Sequence, residues 1–280
     1  MDTEYLINRC EQRYNNELLS IVDEVIALGK VFVMVSGASC AGKTTTTKKL
    51  REYFALRGIH AETVSLDDFY LNHEKTPLTP EGKPDYETIN SLDLDLLDTV
   101  MSELAAGKTV RVPRFDFLLK RRSDKFEEMS LDPGEVVIIE GLHAMNPLLC
   151  RHIDAGLVYR VYLFAEAEDY DAKLLRRIVR DEYYRFFGAE TTLDMWDDVL
   201  RGERLYIAPY APSADAAVNT FFEYETALLA PEGIRLLSAV RQDSPCRRRA
   251  EQLMEKIAGC GSVPYEMVPD DSLMMEFIKK

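Results

Sequence analysis

The sequence predicts an α/β fold: a parallel sheet flanked by helices, with helical appendages and an N-terminal helix. Three observations predict it. Short, continuous apolar runs rich in β-branched residues stand at 31–35, 136–139 and 158–164, the pattern of strands buried on both faces. Stretches with helical spacing separate these runs, so strand and helix alternate along the chain. A glycine-rich turn directly follows the first run and opens a helix.

Taken in order, residues 5–28 place Leu6, Ile7, Leu18, Leu19, Val22, Val25 and Ile26 at three- and four-residue spacing, which predicts an amphipathic helix closed by Gly29. After the strand at 31–35 and its turn, a helix is predicted over 44–57, ended by Gly58. A second strand spans 59–66 and finishes at Asp67-Asp68. Pro77, Pro80, Gly82 and Pro84 make 72–83 a loop. Helical spacing returns over 91–106, punctuated by Gly107. Residues 110–112 form a short strand, and 120–128 read as a charged, mobile connection to the strand at 136–139. Beyond the strand at 158–164, helices are predicted over 169–185 and 192–201. No repeat or low-complexity linker divides the chain. It reads as one domain: an N-terminal helix (1–29), a core (30–230), and an extension (231–280) packed on the core.

The charge balance narrows the function. Lys and Arg number 34 against 48 Asp and Glu, a net −14, which repels nucleic acid and anionic lipid unless basic residues gather locally. Such groups are short: Lys120-Arg121-Arg122, Arg176-Arg177 with Arg180, and Arg247-Arg248-Arg249. The apolar runs fall far short of the roughly 20 residues that span a bilayer. The N-terminus lacks the pattern of a signal peptide. Cys10, Cys40, Cys150, Cys246 and Cys260 show no C-x-x-C pair and read as reduced thiols. A cytoplasmic protein with no nucleic-acid or membrane partner is expected; a homo-oligomer is left open.

Gly37, Ala38, Ser39, Cys40, Ala41, Gly42, Lys43 and Thr44 match the phosphate-binding pattern G-x-x-x-x-G-K-[ST]. Its glycines let backbone N–H groups curl around an anion at the positive end of a helix. Lys43 then reaches the β- and γ-phosphates, while the Thr44 hydroxyl ligates Mg²⁺. At average residue usage such a match arises by chance in about one chain per hundred of this length. A strand before it and a helix after it make it rarer still. The core is therefore predicted to be a P-loop NTPase fold binding ATP, with GTP open. Four threonines at 44–47 are a poor helix start by propensity; Thr45 belongs near the α-phosphate, and Thr46 and Thr47 suit packing.

Neither D-x-x-G nor N-K-x-D occurs, which removes a GTPase switch. Two carboxylate sites remain. Glu140 ends the apolar run at 136–139, where an acid can hold a metal, and Asp67-Asp68 end the second strand. Ligands of open α/β sheets bind beyond the carboxyl ends of strands. One of these aspartates can accept the proton of an attacking hydroxyl, and the other can serve as a cap.

The chain resembles the uridine kinase-like members of the phosphoribulokinase/uridine kinase group of P-loop kinases. The resemblance lies in 37–44, Ser65–Tyr70, Tyr86-Glu87 with Leu92-Asp93, Pro113–Phe117, and the block Ile139-Glu-Gly-Leu-His-Ala-Met-Asn-Pro147. It continues through Leu175–Asp181, Gly202-Glu203, Tyr206–Tyr210, Ala214-Asp215, Asn219, Tyr224-Glu225 and the tail at 268–278. It implies Mg²⁺-dependent transfer of the ATP γ-phosphate to the 5′-hydroxyl of a nucleoside. It further implies Asp67 as the base, Glu140 as the metal-site acid and Glu87 beside the ribose hydroxyls. Phe115 and Tyr70 would pack on sugar or base. The resemblance also implies a helical lid at about 169–210; Arg176 and Arg180, sharing a face of the lid helix, would neutralise the transferring phosphate, with Arg177 pointing elsewhere. His143 reads as structural. Where pyrimidine-specific members place a His, residues 118–122 have none. Two alternatives stay open: a phosphoribulokinase- or pantothenate kinase-like enzyme acting on another alcohol or a sugar phosphate, which an anion site at Lys120–Arg122 would favour, and a silent nucleotide-binding regulator.

Overall fold

The computed structural model describes residues 2–79, 82–117, 119–168 and 171–278. Pro80 and Glu81 of the expected loop, Leu118, and the expected helix start at Asp169-Tyr170 lie outside them. The chain opens with α1 (Thr3–Ala27), whose first turn is capped by the Asp2 side chain accepting from the Glu4 N–H. Ile7, Cys10, Tyr14, Leu18, Ile21, Val22 and Val25 form its buried stripe. Then come β1 (Phe32–Gly37), α2 (Lys43–Leu56), β2 (Ala61–Ser65) and α3 (Leu94–Ala105). Strands β3 (Val110–Asp116), β4 (Arg121–Met129), β5 (Val136–Glu140) and β6 (Val158–Phe164) follow. The C-terminal half holds α4 (Ala172–Arg180), α5 (Ala189–Asp194), α6 (Trp196–Gly202), β7 (Ala216–Asn219), α7 (Glu225–Ser238) and α8 (Arg247–Ile257).

Five strands form one parallel sheet in the order β2-β5-β1-β6-β7. Every residue of β1 is buried. Alternation divides its side chains between two layers. Val33 and Val35 join the stripe of α1 and the apolar faces of α4, α7 and α8; Phe32 and Met34 face the layer that contains α3. Each such aliphatic side chain contributes roughly 1.5–3 kcal/mol by leaving water. The chain leaves β1 toward β2 on one side of the sheet and returns to β6 on the other. The crevice at a reversal of this kind is where α/β sheets bind ligands, and the glycine-rich loop sits there.

One expectation is corrected. The charged segment at 120–128 is no loose connection: it is β4, paired antiparallel with β3 in a separate two-stranded ribbon. Only Met129 of β4 is buried, so the strand carries no alternating apolar signal. It is held by its backbone ladder and by Arg122, whose guanidinium donates to Asp93 at 2.9 Å and whose N–H donates to Asn72 at 2.9 Å. Charges on such an exposed ribbon also discourage further strand pairing. The predicted lid helix is divided as well: α4 passes at Asp181 into a π-helical turn over Asp181–Arg185, and a second such turn spans Glu203–Ile207. No helix among the described residues is long and apolar enough to cross a membrane.

Candidate active site

The loop between β1 and α2 is built to be tight. Cys40 and Gly42 take left-handed φ values of 63° and 80°. A Cβ on Gly37 would fall 2.3 Å from the Leu163 carbonyl of the neighbouring strand. Two loop carbonyls are pinned from outside: Arg176 donates to Cys40 O at 3.0 Å, and Thr220 Oγ1 donates to Ala41 O at 3.0 Å. Of the N–H groups in those two units, that of Ala41 donates back to Ala38 O at 3.2 Å, while that of Gly42 is left to the opposite side because the peptide is planar and trans. Lys43 Nζ lies over the loop, donating to Gly37 O and Ala38 O at 3.0 Å each. Gly37→Ala should cost about 1–3 kcal/mol through overpacking against a backbone that cannot yield. Thermal unfolding would measure the loss, with nucleotide binding weakened in parallel.

The threonines of α2 divide by role. Thr46 and Thr47 are buried, and Thr46 Oγ1 donates to Gly42 O while bonding the Tyr14 hydroxyl at 2.6 Å. Thr44 is exposed at the mouth of the loop. The Thr45 hydroxyl donates to Glu276 at 3.0 Å, so the C-terminal tail reaches the P-loop helix. Leu273 of that tail lies where a Cβ on Gly42 would come to 2.3 Å.

At the carboxyl edge of the sheet, register places Ser65 opposite Glu140, and Ser65 Oγ donates to Glu140 Oε1 at 2.7 Å. Asp67 follows two residues later. The residue is exposed to solvent. Partial desolvation by the surrounding protein raises its pKa, opposed by the positive charges of Lys43 and Arg185. Burial likewise raises Glu140, with nearby Asp67 adding to the shift. Asp68 points away, accepting from the Phe115 N–H at 2.9 Å and Arg114 Nη1 at 2.7 Å, and thereby anchors the β3–β4 ribbon. Tyr70 stands between the acids: burial and the neighbouring charges of Asp67 and Glu87 push its hydroxyl up. Its ring meets Phe115 at 5.9 Å and Tyr86 at 6.1 Å. Glu87 is raised by burial, with Arg177 acting against the shift. Thus Lys43, Asp67, Tyr70, Glu87, Phe115 and Glu140 converge on one cleft.

One lid arginine, Arg176, requires a correction. Arg176 is fully buried beneath the P-loop, not facing it: Nε and Nη2 donate to Glu225 at 2.9 and 2.5 Å, and Nη2 also donates to Thr220 O at 2.6 Å. All its donor groups face protein, so it braces the loop from behind. Arg180 donates to Asp181 at 2.9 Å. The arginine that reaches the front is Arg177, set aside by the sequence reading, which donates to Ser39 Oγ at 2.9 Å and to Asp181 at 3.1 Å. Arg185, close to Asp67, was also missed. The helical spacing separates Arg176 from Arg177 correctly but does not say which face turns inward.

No group of three or more His, Cys, Asp or Glu converges as a metal cage among the described residues. The donor set suits Mg²⁺ nonetheless, because that ion is held by one or two protein oxygens with phosphates and water completing its shell. The exposed Thr44 hydroxyl and Glu140 are such a pair.

Residues 32–227 match the family model described as phosphoribulokinase / uridine kinase family. The chain belongs to this family of kinases. Among relatives of this kinase, a uridine kinase of Bacillus cereus is 30% identical over 190 residues, covering 67% of this chain and 84% of its own. A uridine kinase of Macrococcus caseolyticus is 29% identical over 185 residues, covering 66% and 85%. The structure of YFH7 from Saccharomyces cerevisiae superposes with a TM-score of 0.53 at 14% identity, covering 73% of this kinase and 98% of that chain. That likeness concerns the fold alone, and it agrees with a parallel sheet flanked by helices.

Proposed function

We propose that this kinase transfers the γ-phosphate of ATP to the 5′-hydroxyl of a nucleoside, in a Mg²⁺-dependent reaction. The observation that carries the reading is the convergence of Asp67 with the P-loop lysine on one side and with Tyr70, Glu87 and Phe115 on the other. A phosphate donor and a hydroxylated, partly apolar acceptor can meet there. The relatives named uridine kinase support the choice of acceptor. Gly37–Thr44 and Thr45 cradle the nucleotide. Thr44 and Glu140 would hold Mg²⁺, which when bound would neutralise charge on the phosphates. Asp67 takes the proton of the acceptor hydroxyl as that oxygen bonds the γ-phosphorus and the bond to ADP breaks. Arg177, Arg180 and Arg185, carried by the segment 172–185, supply positive charge from the lid. Glu87 accepts from ribose hydroxyls, and the Tyr70 and Phe115 rings bound the sugar and base.

Against an acceptor that already bears phosphate stands Arg122 of the 120–122 group, whose guanidinium is bound to Asp93. The reading puts the enzyme in the cytoplasm, where its five cysteines, unpaired among the described residues, stay reduced. The test is ADP release with Mg·ATP or Mg·GTP across uridine, cytidine, purine nucleosides, pantothenate and sugar phosphates. Stimulation by a nucleoside is expected. Stimulation by another alcohol alone would replace the acceptor, and silence with intact nucleotide binding would make the protein a regulator.

A further inference from the structure

The turn after β5 carries a histidine that the reaction above does not use. Its backbone is fixed on both sides: Ser36 Oγ donates to Leu142 O at 2.7 Å, and the Asn146 N–H donates to His143 O at 2.8 Å. Asn146 in turn reaches the lid through the Tyr210 hydroxyl at 3.1 Å. His143 is only 3% exposed, and neither ring nitrogen is within good hydrogen-bonding geometry of a partner among the described residues; the Glu87 main chain is the one polar group close enough to draw on the imidazole. Buried polar atoms normally find partners, and an orphaned pair calls for a reason.

The surroundings give one. The Glu87 main chain lies beside the imidazole, with Asp85 and Lys43 within electrostatic reach. Tyr206, on the lid, meets the ring edge-on at 6.2 Å between centroids. Gly202 presses the same lid against Glu87, since a Cβ there would fall 3.0 Å from Glu87 Oε2. His143 and Glu87 therefore share one wall of the cleft, under one roof. Burial, helped by Lys43, pushes the imidazole down to about 4 against the opposing Glu87 main chain and Asp85, so it is neutral at ordinary pH. A neutral imidazole offers one donor and one acceptor, the complement of a hydroxyl, whereas a carboxylate only accepts.

Building on the reading of this cleft as the acceptor site, we propose that His143 is a specificity-determining contact for a vicinal diol: Glu87 takes one hydroxyl and the His143 imidazole its neighbour. The kinase thereby distinguishes ribonucleosides from their deoxy counterparts.

The experiment compares kcat/KM for uridine with that for 2′-deoxyuridine and 3′-deoxyuridine. In His143→Leu the preference for uridine over one of the deoxy acceptors should fall about tenfold, carried by KM, and His143→Gln should restore part of it. Equal losses on all three acceptors would overturn the assignment and leave His143 a packing residue. If no nucleoside is turned over by the unsubstituted enzyme, the nucleoside reading fails. The same ratio is then measured with whichever polyol stimulates ADP release and its monodeoxy analogues, so the His143 assignment is still decided. Should His143→Leu not fold, ¹⁵N-histidine spectra of the unsubstituted protein decide instead. The histidine that stays neutral at pH 6 should shift when acceptor is added, and no movement at saturation would overturn the proposal.

Discussion

Asp67→Asn is expected to lower kcat by about 10²–10⁴-fold, the usual contribution of a positioned general base, while nucleotide affinity is kept. The amide fills the same volume but cannot take the acceptor proton. The choice of Asp67 over its neighbour rests on where the two side chains are engaged. Asp68 is occupied by the Phe115 N–H and Arg114. Asp67 faces the cleft toward Lys43 and Arg185. ADP release under saturating acceptor measures the loss, and nucleotide titration of the same variant measures what is retained. Near-normal turnover would move the base elsewhere. A pH dependence goes with this assignment. Burial raises Asp67, Glu87 and Glu140 together. Each acts in its ionised form, so kcat/KM falls as pH drops through these raised values. The acid limb should lie above the ordinary carboxylate range near 4.

Much of this site was legible in the residues because its signals are local. The glycines of 37–42 must precede a helix to make a cradle, and both neighbours of the loop declare themselves by periodicity. An acid at the end of an apolar run is readable for the same reason, which is how Glu140 and the pair Asp67-Asp68 could be singled out, the choice of Asp67 coming from the resemblance. Phe115, Tyr70 and Glu87 came from the resemblance, and no spacing would have brought them together. Their meeting depends on the β3–β4 ribbon, held by Asp68 and Arg122, and polar contacts across 29 and 46 residues leave no periodic trace. Strand β4 was misread because both its faces are largely wet. His143 was read as structural because a lone histidine in sequence has no visible environment. Only the fold shows that it is buried without partners.

The arginine pair shows the other limit, and it sets the second large effect. Arg176→Ala is expected to destabilise the protein by about 3–5 kcal/mol, because it leaves Glu225 buried without its counter-charge. With the midpoint moving roughly 2–4 °C per kcal/mol in a chain of this size, thermal unfolding should shift by about 6–20 °C. The carboxylate has little else to rely on: apart from Arg176, Glu225 accepts from the Phe222 N–H at 3.0 Å. Arg176 also holds the Cys40 carbonyl and lies over the Phe277 ring at 5.0 Å, so its loss loosens P-loop and tail together. Replacing both partners by apolar residues, as in Arg176→Met with Glu225→Leu, should recover much of the stability, since an absent pair leaves no unpaired charge. A residue that acted on the transferring phosphate would give the opposite pattern, with kcat lost and the melting temperature unchanged. Thermal melts of the single and double variants, set beside their kcat values, separate a brace behind the P-loop from a catalytic arginine in front of it.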